Sequence, residues 1–198
     1  MRIFLVRHTA VDVESGTCYG QSDVPLKESF ESEAAIVKAK LDALVDSGIK
    51  FNEVYTSPLS RCVKLATYCG YADANKEDKI KEINFGEWEL RKFSEIKDPR
   101  LQEWYDNYLE VRVTGGESFR DQFERVAEFL GKLRNSELLS RNSELDSESR
   151  SHTPPSNAAL LFTHGGVIGC ARVFAKQLAP EEVFSNLTDY GGVVEINI

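Results

Sequence analysis

Apolar runs without polar alternation predict the strands of a buried sheet. Residues 3–6 form the first such run, residues 51–56 a second short strand, and residues 158–162 a third. Runs of this kind are typical of strands covered on both faces, as in the mostly parallel sheets of α/β proteins. Residues 193–198 predict a further strand at the edge of the sheet.

Apolar residues at helical spacing lie between these strands. The pattern predicts an amphipathic helix over residues 31–45 that ends at Ser47-Gly48. A second helix is expected to begin with Ser57 as N-cap and Pro58 in its first turn. Further helices are predicted from residues 114–117 to 133, over residues 167–177, and briefly after Pro180. Alternating strands and helices indicate an α/β fold.

Three segments lie outside this alternation. Residues 10–27 form a long loop that leaves directly from the first strand, so the loop is placed to close over a ligand. The segment of about residues 91–115 is rich in charged and aromatic side chains and predicts a small helical cap. The segment of about residues 136–157 is rich in Ser, Glu and Arg, which cannot bury a core. It predicts a surface excursion, not a domain boundary.

Length and composition favour one cytoplasmic domain. The chain has 198 residues, begins directly with a strand and has no apolar run near the roughly 18 residues that span a membrane. Its formal net charge of −8 disfavours nucleic acid and membrane surfaces as partners, although a local arginine cluster can still hold a small phosphorylated molecule. Four cysteines without C-x-x-C spacing are expected to be free thiols. The oligomeric state stays open.

Candidate functional side chains follow the three buried strands. Arg7 and His8 end the first strand, Arg61 lies near the start of the helix after the second, and His164 follows the third. In open α/β sheets, ligands bind beyond the carboxyl ends of the strands. Arginines supply forked donors to phosphate oxygens, and an imidazole can attack phosphorus. The glycines after His164 leave backbone N–H groups open to an anion.

Two assignments have alternatives. Glu87 lies between aromatic residues, and an apolar surround would suit it as a general acid, but a solvated glutamate in an aromatic-anchored turn fits the same pattern. A metal site built from His8 and His164 with Asp12 or Glu14 competes with the phosphate site. We rank it lower because the neighbouring arginines would repel a cation.

Five motifs together resemble the histidine phosphatase superfamily, which has the phosphoglycerate-mutase-like fold. The motifs are Arg7-His8-Thr9, Ser57-Pro58-Leu59-Ser60-Arg61, Phe85-Gly86-Glu87-Trp88-Glu89, Gly116-Glu117-Ser118 and Thr163-His164-Gly165-Gly166. Within the superfamily the chain is most similar to the α-ribazole phosphatase branch of cobalamin biosynthesis, in residues 19–26 and 84–89.

This resemblance implies a three-layer α/β/α sandwich around a mostly parallel sheet, formed by a single domain over residues 1–198. It also implies metal-independent phosphohistidine chemistry without a cofactor. His8 is then the nucleophile and Glu87 the proton donor. The implied substrate-binding residues are Arg7, Thr9, Gly20, Gln21, Arg61, His164 and Gly165. The chain departs from the family pattern in this region, because Thr9 replaces a frequent glycine and residues 12–14 lack a frequent asparagine.

The predicted activity is hydrolysis of a small phosphorylated metabolite, with α-ribazole 5′-phosphate as the expected substrate. Phosphoglycerate mutase activity and broad-specificity sugar phosphatase activity are alternatives on the same site. A non-catalytic phosphate-binding module is the alternative from another class. For catalysis, one nitrogen of His8 should donate to a backbone carbonyl, so that the attacking nitrogen is unprotonated.

Overall fold

The computed structural model describes residues 1–145 and 157–198 and is organised around a five-stranded sheet. The strand order is β3-β2-β4-β1-β5, and every pairing is parallel except that of β5 with β1. The strands are β1 (Arg2–Arg7), β2 (Lys50–Thr56), β3 (Asn75–Lys76), β4 (Asn157–Thr163) and β5 (Val193–Asn197). The predicted α/β fold with a mostly parallel sheet and an edge strand at the carboxyl end is therefore confirmed.

Helices cover both faces of the sheet. They are α1 (Phe30–Asp46), α2 (Ser60–Tyr68), α3 (Arg100–Asp106), α4 (Phe119–Leu145) and α5 (Gly165–Phe174). Side chains alternate between the faces of a strand, so Phe4 and Val6 pack with α1 and α2, whereas Ile3 and Leu5 pack with α4 and α5. Two buried clusters on opposite faces give the three layers that the sequence predicts.

A third apolar cluster lies around α3, in the segment predicted as a helical cap. Trp88 and Trp104 pack edge to face at 5.9 Å between ring centroids. The indole of Trp88 donates a hydrogen bond to Asp98 at 2.9 Å. This bond anchors the buried indole and joins the turn at residues 86–88 to the start of the cap.

The predicted start of the second helix is wrong by two residues, because the N-cap is Leu59 and not Ser57. Helix α2 begins at Ser60, and Leu59 is its extended N-cap residue. The backbone N–H of Ser57 still donates to the carbonyl of Phe162 at 2.9 Å, so the sheet pairing continues one residue past β2. Ser57 lies two residues before the N-cap position, and its Oγ accepts a long hydrogen bond of 3.4 Å from the backbone N–H of Leu59. Arg61 nevertheless lies in the first turn, as predicted.

The structure also bears on the predictions about the cysteines, membrane-spanning helices and the surface excursion. All four cysteines are buried free thiols. Within residues 1–145 and 157–198, no helix is long and apolar enough to cross a membrane. The segment predicted as a surface excursion begins inside α4, and its residues 146–156 lie outside the described residues.

Two helix glycines provide a matched test of the packing around α5. A Cβ added to Gly131 in α4 would meet no atom within 4 Å, whereas one on Gly169 in α5 would lie 2.3 Å from Cγ1 of Val183. Val183 is fully buried and β-branched, so it cannot turn away easily.

We expect Gly131→Ala to raise the free energy of unfolding by about 0.5–1 kcal/mol, because alanine favours the helix. Gly169→Ala should lower it by about 1–3 kcal/mol through overpacking. Urea unfolding followed by circular dichroism measures both changes. Equal stabilisation of the two variants would contradict the close contact of α5 with Val183.

Candidate active site

The ends of three neighbouring parallel strands bring the predicted side chains together. Strands β2, β4 and β1 are adjacent in the sheet, and Arg61, His164 and Arg7-His8 follow them in that order. The rings of His8 and His164 lie 5.2 Å apart between centroids. His164 and Arg61 are completely buried, and His8 is nearly so. The predicted cluster of two histidines and two arginines therefore forms at one edge of the sheet.

The imidazole of His8 is held in a single tautomer. Its Nδ1 lies 2.8 Å from the carbonyl oxygen of Thr9. A carbonyl oxygen can only accept, so Nδ1 carries the proton and Nε2 presents a lone pair. Burial, followed by the charge of Arg61, lowers the pKa of His8 to about 3. The predicted backbone contact and the predicted neutral form are both confirmed.

His164 is neutral for the same physical reasons. Burial, and next the positive charge of Arg61, hold the pKa of His164 well below its ordinary value. Its Nε2 forms a hydrogen bond of 2.8 Å with Oγ of Ser57 and lies 3.5 Å from Sγ of Cys62. Ser57, expected to cap a helix, therefore orients an imidazole instead.

The positive charge of the cluster comes from the two arginines. Arg61 donates through Nη1 to the carbonyl of Ser22 at 2.9 Å and through Nη2 to the carbonyl of Gly20. Arg7 donates to the carbonyl of Thr188 and stacks on Tyr190 at 4.1 Å. Nε of each arginine is buried without a hydrogen-bond partner among the described residues. Unsatisfied buried donors beside two neutral imidazoles suit an incoming anion.

Two further predicted residues flank these groups. The hydroxyl of Thr9 is buried and has no partner in the part of the chain that the structure describes, so it is free to bond a ligand. Gly165 lies against Arg7, and a Cβ at this position would be 3.2 Å from Cζ of the guanidinium. Glycine therefore leaves room for the close approach of Arg7 to the start of α5, where a Cβ would press on the guanidinium.

Gly20 and Gln21, which the family resemblance implies as substrate-binding residues, use their backbone N–H groups within the protein. Their backbone N–H groups donate to the carboxylate of Glu89, each at 2.9 Å, and Ser22 donates to it at 3.1 Å. The amide side chain of Gln21 donates to the carbonyl of Glu82 at 3.0 Å. With these donors already bonded, the loop instead holds Arg61 through its carbonyls. Although burial opposes it, donation from Gly20 and Gln21 keeps the pKa of Glu89 below its ordinary value.

Glu87, the predicted proton donor, is exposed and does not line the cavity next to His8. Its backbone N–H donates to the carbonyl of Thr114 at 2.9 Å within the turn at residues 86–88. The next residue, Trp88, is buried in the cap cluster, and Glu87 is left in contact with solvent. The apolar surround expected for Glu87 from its aromatic neighbours therefore does not form.

Glu82, which was not predicted as a site residue, is the carboxylate that lines this cavity among the described residues. Its Oε2 accepts from the backbone N–H of Gly166 at 3.0 Å. Its Oε1 accepts from the N–H of Ile83 at 3.0 Å and from Nε2 of Gln122 at 2.8 Å. Glu82 and Gly166 are 84 positions apart, so no local pattern links them. The open N–H groups predicted after His164 were the available signal that an acceptor lies nearby.

The carboxylates of the alternative metal site do not join His8 and His164. Asp12 is exposed, and Glu14 forms an ion pair with Lys92. Among residues 1–145 and 157–198, no group of three or more His, Cys, Asp or Glu side chains is arranged to hold a metal ion.

A cavity of about 510 Å³ opens beside His8 and is lined mainly by aromatic side chains. Its polar side walls include Arg7, His8 and Glu82, at the end next to the start of α5. Its apolar walls come from Tyr19, Ile83, Phe85, Phe93, Trp104, Tyr105, Tyr108, Phe184 and Leu187. Residues of the cap cluster therefore form much of the apolar wall of the cavity.

Comparison with curated proteins identifies relatives that are phosphatases and mutases by name. The chain is 28% identical over 141 residues to phosphoserine phosphatase 1 of Hydrogenobacter thermophilus, an alignment that covers 68% of this chain and 64% of that protein. The chain thus spans less than two thirds of that relative's length. It is 29% identical over 178 residues to a probable phosphoglycerate mutase, GpmB, of Cronobacter sakazakii, covering 86% and 72% of the two chains.

Solved structures share the fold at lower identity. A mycobacterial glucosyl-3-phosphoglycerate phosphatase superposes with a TM-score of 0.76 at 19% identity, covering 98% of this chain and 88% of that one. A phosphoglycerate mutase from Thermus thermophilus gives a TM-score of 0.68 at 24% identity, with coverage of 100% and 93%. The family model described as histidine phosphatase superfamily (branch 1) matches residues 3–198. With almost the whole chain matched and the histidine–arginine cluster assembled, this protein belongs to the histidine phosphatase superfamily, branch 1.

Proposed function

We propose that the protein is a phosphomonoesterase that transfers the phosphoryl group of a small metabolite to Nε2 of His8 and then to water. The observation that carries this proposal is the state of His8, a buried neutral imidazole whose Nδ1 is bonded to the carbonyl of Thr9. Its attacking nitrogen is thus unprotonated. Arg7 and Arg61 have buried Nε donors without partners among the described residues, and these would receive the phosphoryl oxygens.

In the first step, Nε2 of His8 forms a bond to phosphorus while the bond from phosphorus to the alcohol oxygen breaks. Glu82 gives its proton to that oxygen and becomes a carboxylate. In the second step, water attacks phosphorus, its proton passes to Glu82, and the bond between nitrogen and phosphorus breaks. The arginines and neutral His164 stabilise the charge on the transferred group without reorganisation.

We further propose that this chemistry needs no metal ion. The two guanidinium groups supply the positive charge that a metal would otherwise provide to a phosphoryl group. They also make the same position unfavourable for a cation.

The aromatic cavity supports a neutral, flat alcohol half for the substrate. Of the described residues that line the cavity, Arg7 is the one cation, and it is assigned to the phosphate. The carboxylate of phosphoserine or phosphoglycerate, the compounds in the relatives' names, would have no second cation there. A nucleoside with an aromatic base would stack on the cap residues. We therefore keep α-ribazole 5′-phosphate as the proposed substrate.

The phosphohistidine can be trapped directly. Rapid acid-free quenching of the wild type with ³²P-labelled substrate, in buffer containing EDTA, should yield a covalent phosphoenzyme that is stable to base and labile to acid. His8→Ala should yield none. A wild-type protein that binds phosphate but never forms this species would be the non-catalytic binding module. Label that persists in His8→Ala would remove His8 from its role.

Glu82 and Glu87 form a matched pair for testing the proton donor. Glu82→Gln should slow burst-phase release of alcohol from an alkyl phosphate by about 10²- to 10⁴-fold. It should affect p-nitrophenyl phosphate much less, because the nitrophenolate leaves without protonation. Glu87→Gln should leave both bursts within about twofold of the wild type. A selective loss in Glu87→Gln would restore the sequence-based assignment.

The cavity assignment predicts substrate selectivity. At equal concentrations, kcat/KM for α-ribazole 5′-phosphate should exceed that for phosphoserine, 3-phosphoglycerate and sugar phosphates. Tyr105→Ala, at an exposed wall of the cavity, should lower kcat/KM for the aromatic substrate by about 2- to 10-fold and leave glycerol phosphate unchanged.

Tyr68→Ala is the control, because Tyr68 is also exposed but lies outside the residues that line the cavity. Preferred turnover of phosphoglycerates, with dependence on added bisphosphoglycerate, would indicate a mutase instead.

A further inference from the structure

Gln122, at the start of α4, contacts Glu82 from the side remote from the cavity. It is completely buried and does not line the cavity. Its Nε2 donates to Oε1 of Glu82 at 2.8 Å, while its own Oε1 is buried without a partner among the described residues. A buried unpaired acceptor is uncommon and calls for a physical reason.

Rotation of the amide by half a turn would place its oxygen against Oε1 of Glu82, where two acceptors would repel each other. The observed orientation instead leaves one acceptor unpaired and keeps the donor on the carboxyl group. A hydrogen bond to a carboxylate is stronger than one between neutral groups. The contact with Glu82 therefore decides the orientation of Gln122.

The two oxygens of Glu82 are not equivalent. Oε1 receives two donors, the N–H of Ile83 and Nε2 of Gln122, whereas Oε2 receives one, the N–H of Gly166. An oxygen that accepts two hydrogen bonds has less capacity left to carry a proton. The proton of the acid form is therefore directed to Oε2.

The backbone of Glu82 is fixed independently of Gln122. Its carbonyl accepts from Nη2 of Arg125 at 2.9 Å and from Nε2 of Gln21 at 3.0 Å. Arg125 is itself paired with Glu117 at 2.8 Å. Loss of the Gln122 amide would thus remove one of the three donors to the carboxyl group without releasing the chain segment that bears it.

We propose that Gln122 is a positioning residue that holds Oε1 of Glu82 as an acceptor and so places the transferable proton on Oε2. This inference rests on the proposed role of Glu82 as acid and base. In the first step the bond from Oε2 to hydrogen breaks as the leaving oxygen takes the proton. In the second step Oε2 recovers a proton from the attacking water. Throughout the cycle the amide of Gln122 keeps donating to Oε1.

The test compares Gln122→Leu with Gln102→Leu in the intact protein. Gln102 makes the same kind of amide–carboxylate bond, 2.9 Å to Asp106, but at the surface. Gln122→Leu should slow the alcohol burst from an alkyl phosphate about tenfold, with KM and the p-nitrophenyl phosphate burst within about twofold of wild type. Gln102→Leu should match the wild type on both substrates.

Gln122→Met, an unbranched apolar substitution, should give the same result as Gln122→Leu. It provides the test if Gln122→Leu does not fold, and circular dichroism monitors the folding of both variants. In a Glu82→Gln background, Gln122→Leu should cause no further selective loss, because no proton remains to be placed. An equal loss on both substrates, or the same selective loss in that background, would overturn the inference while leaving the role of Glu82 intact. Absence of a leaving-group effect in Glu82→Gln itself would instead overturn the proposed acid.

Discussion

The buried guanidinium of Arg61 is the constraint on which the site depends. It is completely shielded from solvent, and none of the described residues forms an ion pair with it. Burying a cation is costly unless hydrogen bonds or an anion compensate. The carbonyls of Gly20 and Ser22 provide part of that compensation. The remaining Nε donor has no partner among the described residues, and the proposed function assigns it to a phosphoryl oxygen.

After the effect of burial, the positive charge of Arg61 also lowers the pKa of the two neighbouring histidines, His8 and His164. Two imidazoles can therefore lie 5.2 Å apart in a buried site without mutual repulsion. In the proposed mechanism, one neutral nitrogen attacks while the arginines hold the charge of the phosphoryl group. Carboxylates around the site act mainly by accepting backbone N–H bonds, and Glu89 fixes the loop that holds Arg61 in this way.

The side chain of Glu82 is held in place beside this cluster by several hydrogen bonds. Its carboxyl group is held by donors from Ile83, Gly166 and Gln122, which come from three separate segments of the chain. Such convergence fixes a side chain more firmly than a single contact, which is what a proton donor requires. The cap contributes in another way, because its aromatic side chains form the apolar wall of the cavity, which the proposed function assigns to the alcohol half of the substrate.

The sequence by itself determined strands β1, β2, β4 and β5, the covering helices and the positions of Arg7, His8, Arg61 and His164, whereas the two-residue strand β3 was not predicted. Apolar runs are local signals, and parallel strands place their carboxyl ends on one edge, so side chains at those ends must meet. Only the tertiary structure showed that Glu82, and not Glu87, lines the cavity next to His8. Both glutamates lie in one short segment. Gly166, which is distant in the chain, bonds the carboxylate of Glu82, whereas packing of the neighbouring Trp88 into the cap cluster leaves Glu87 in solvent. Ser57 was likewise misassigned as a helix cap from a local motif, because His164, which bonds its side chain, is brought to it by folding.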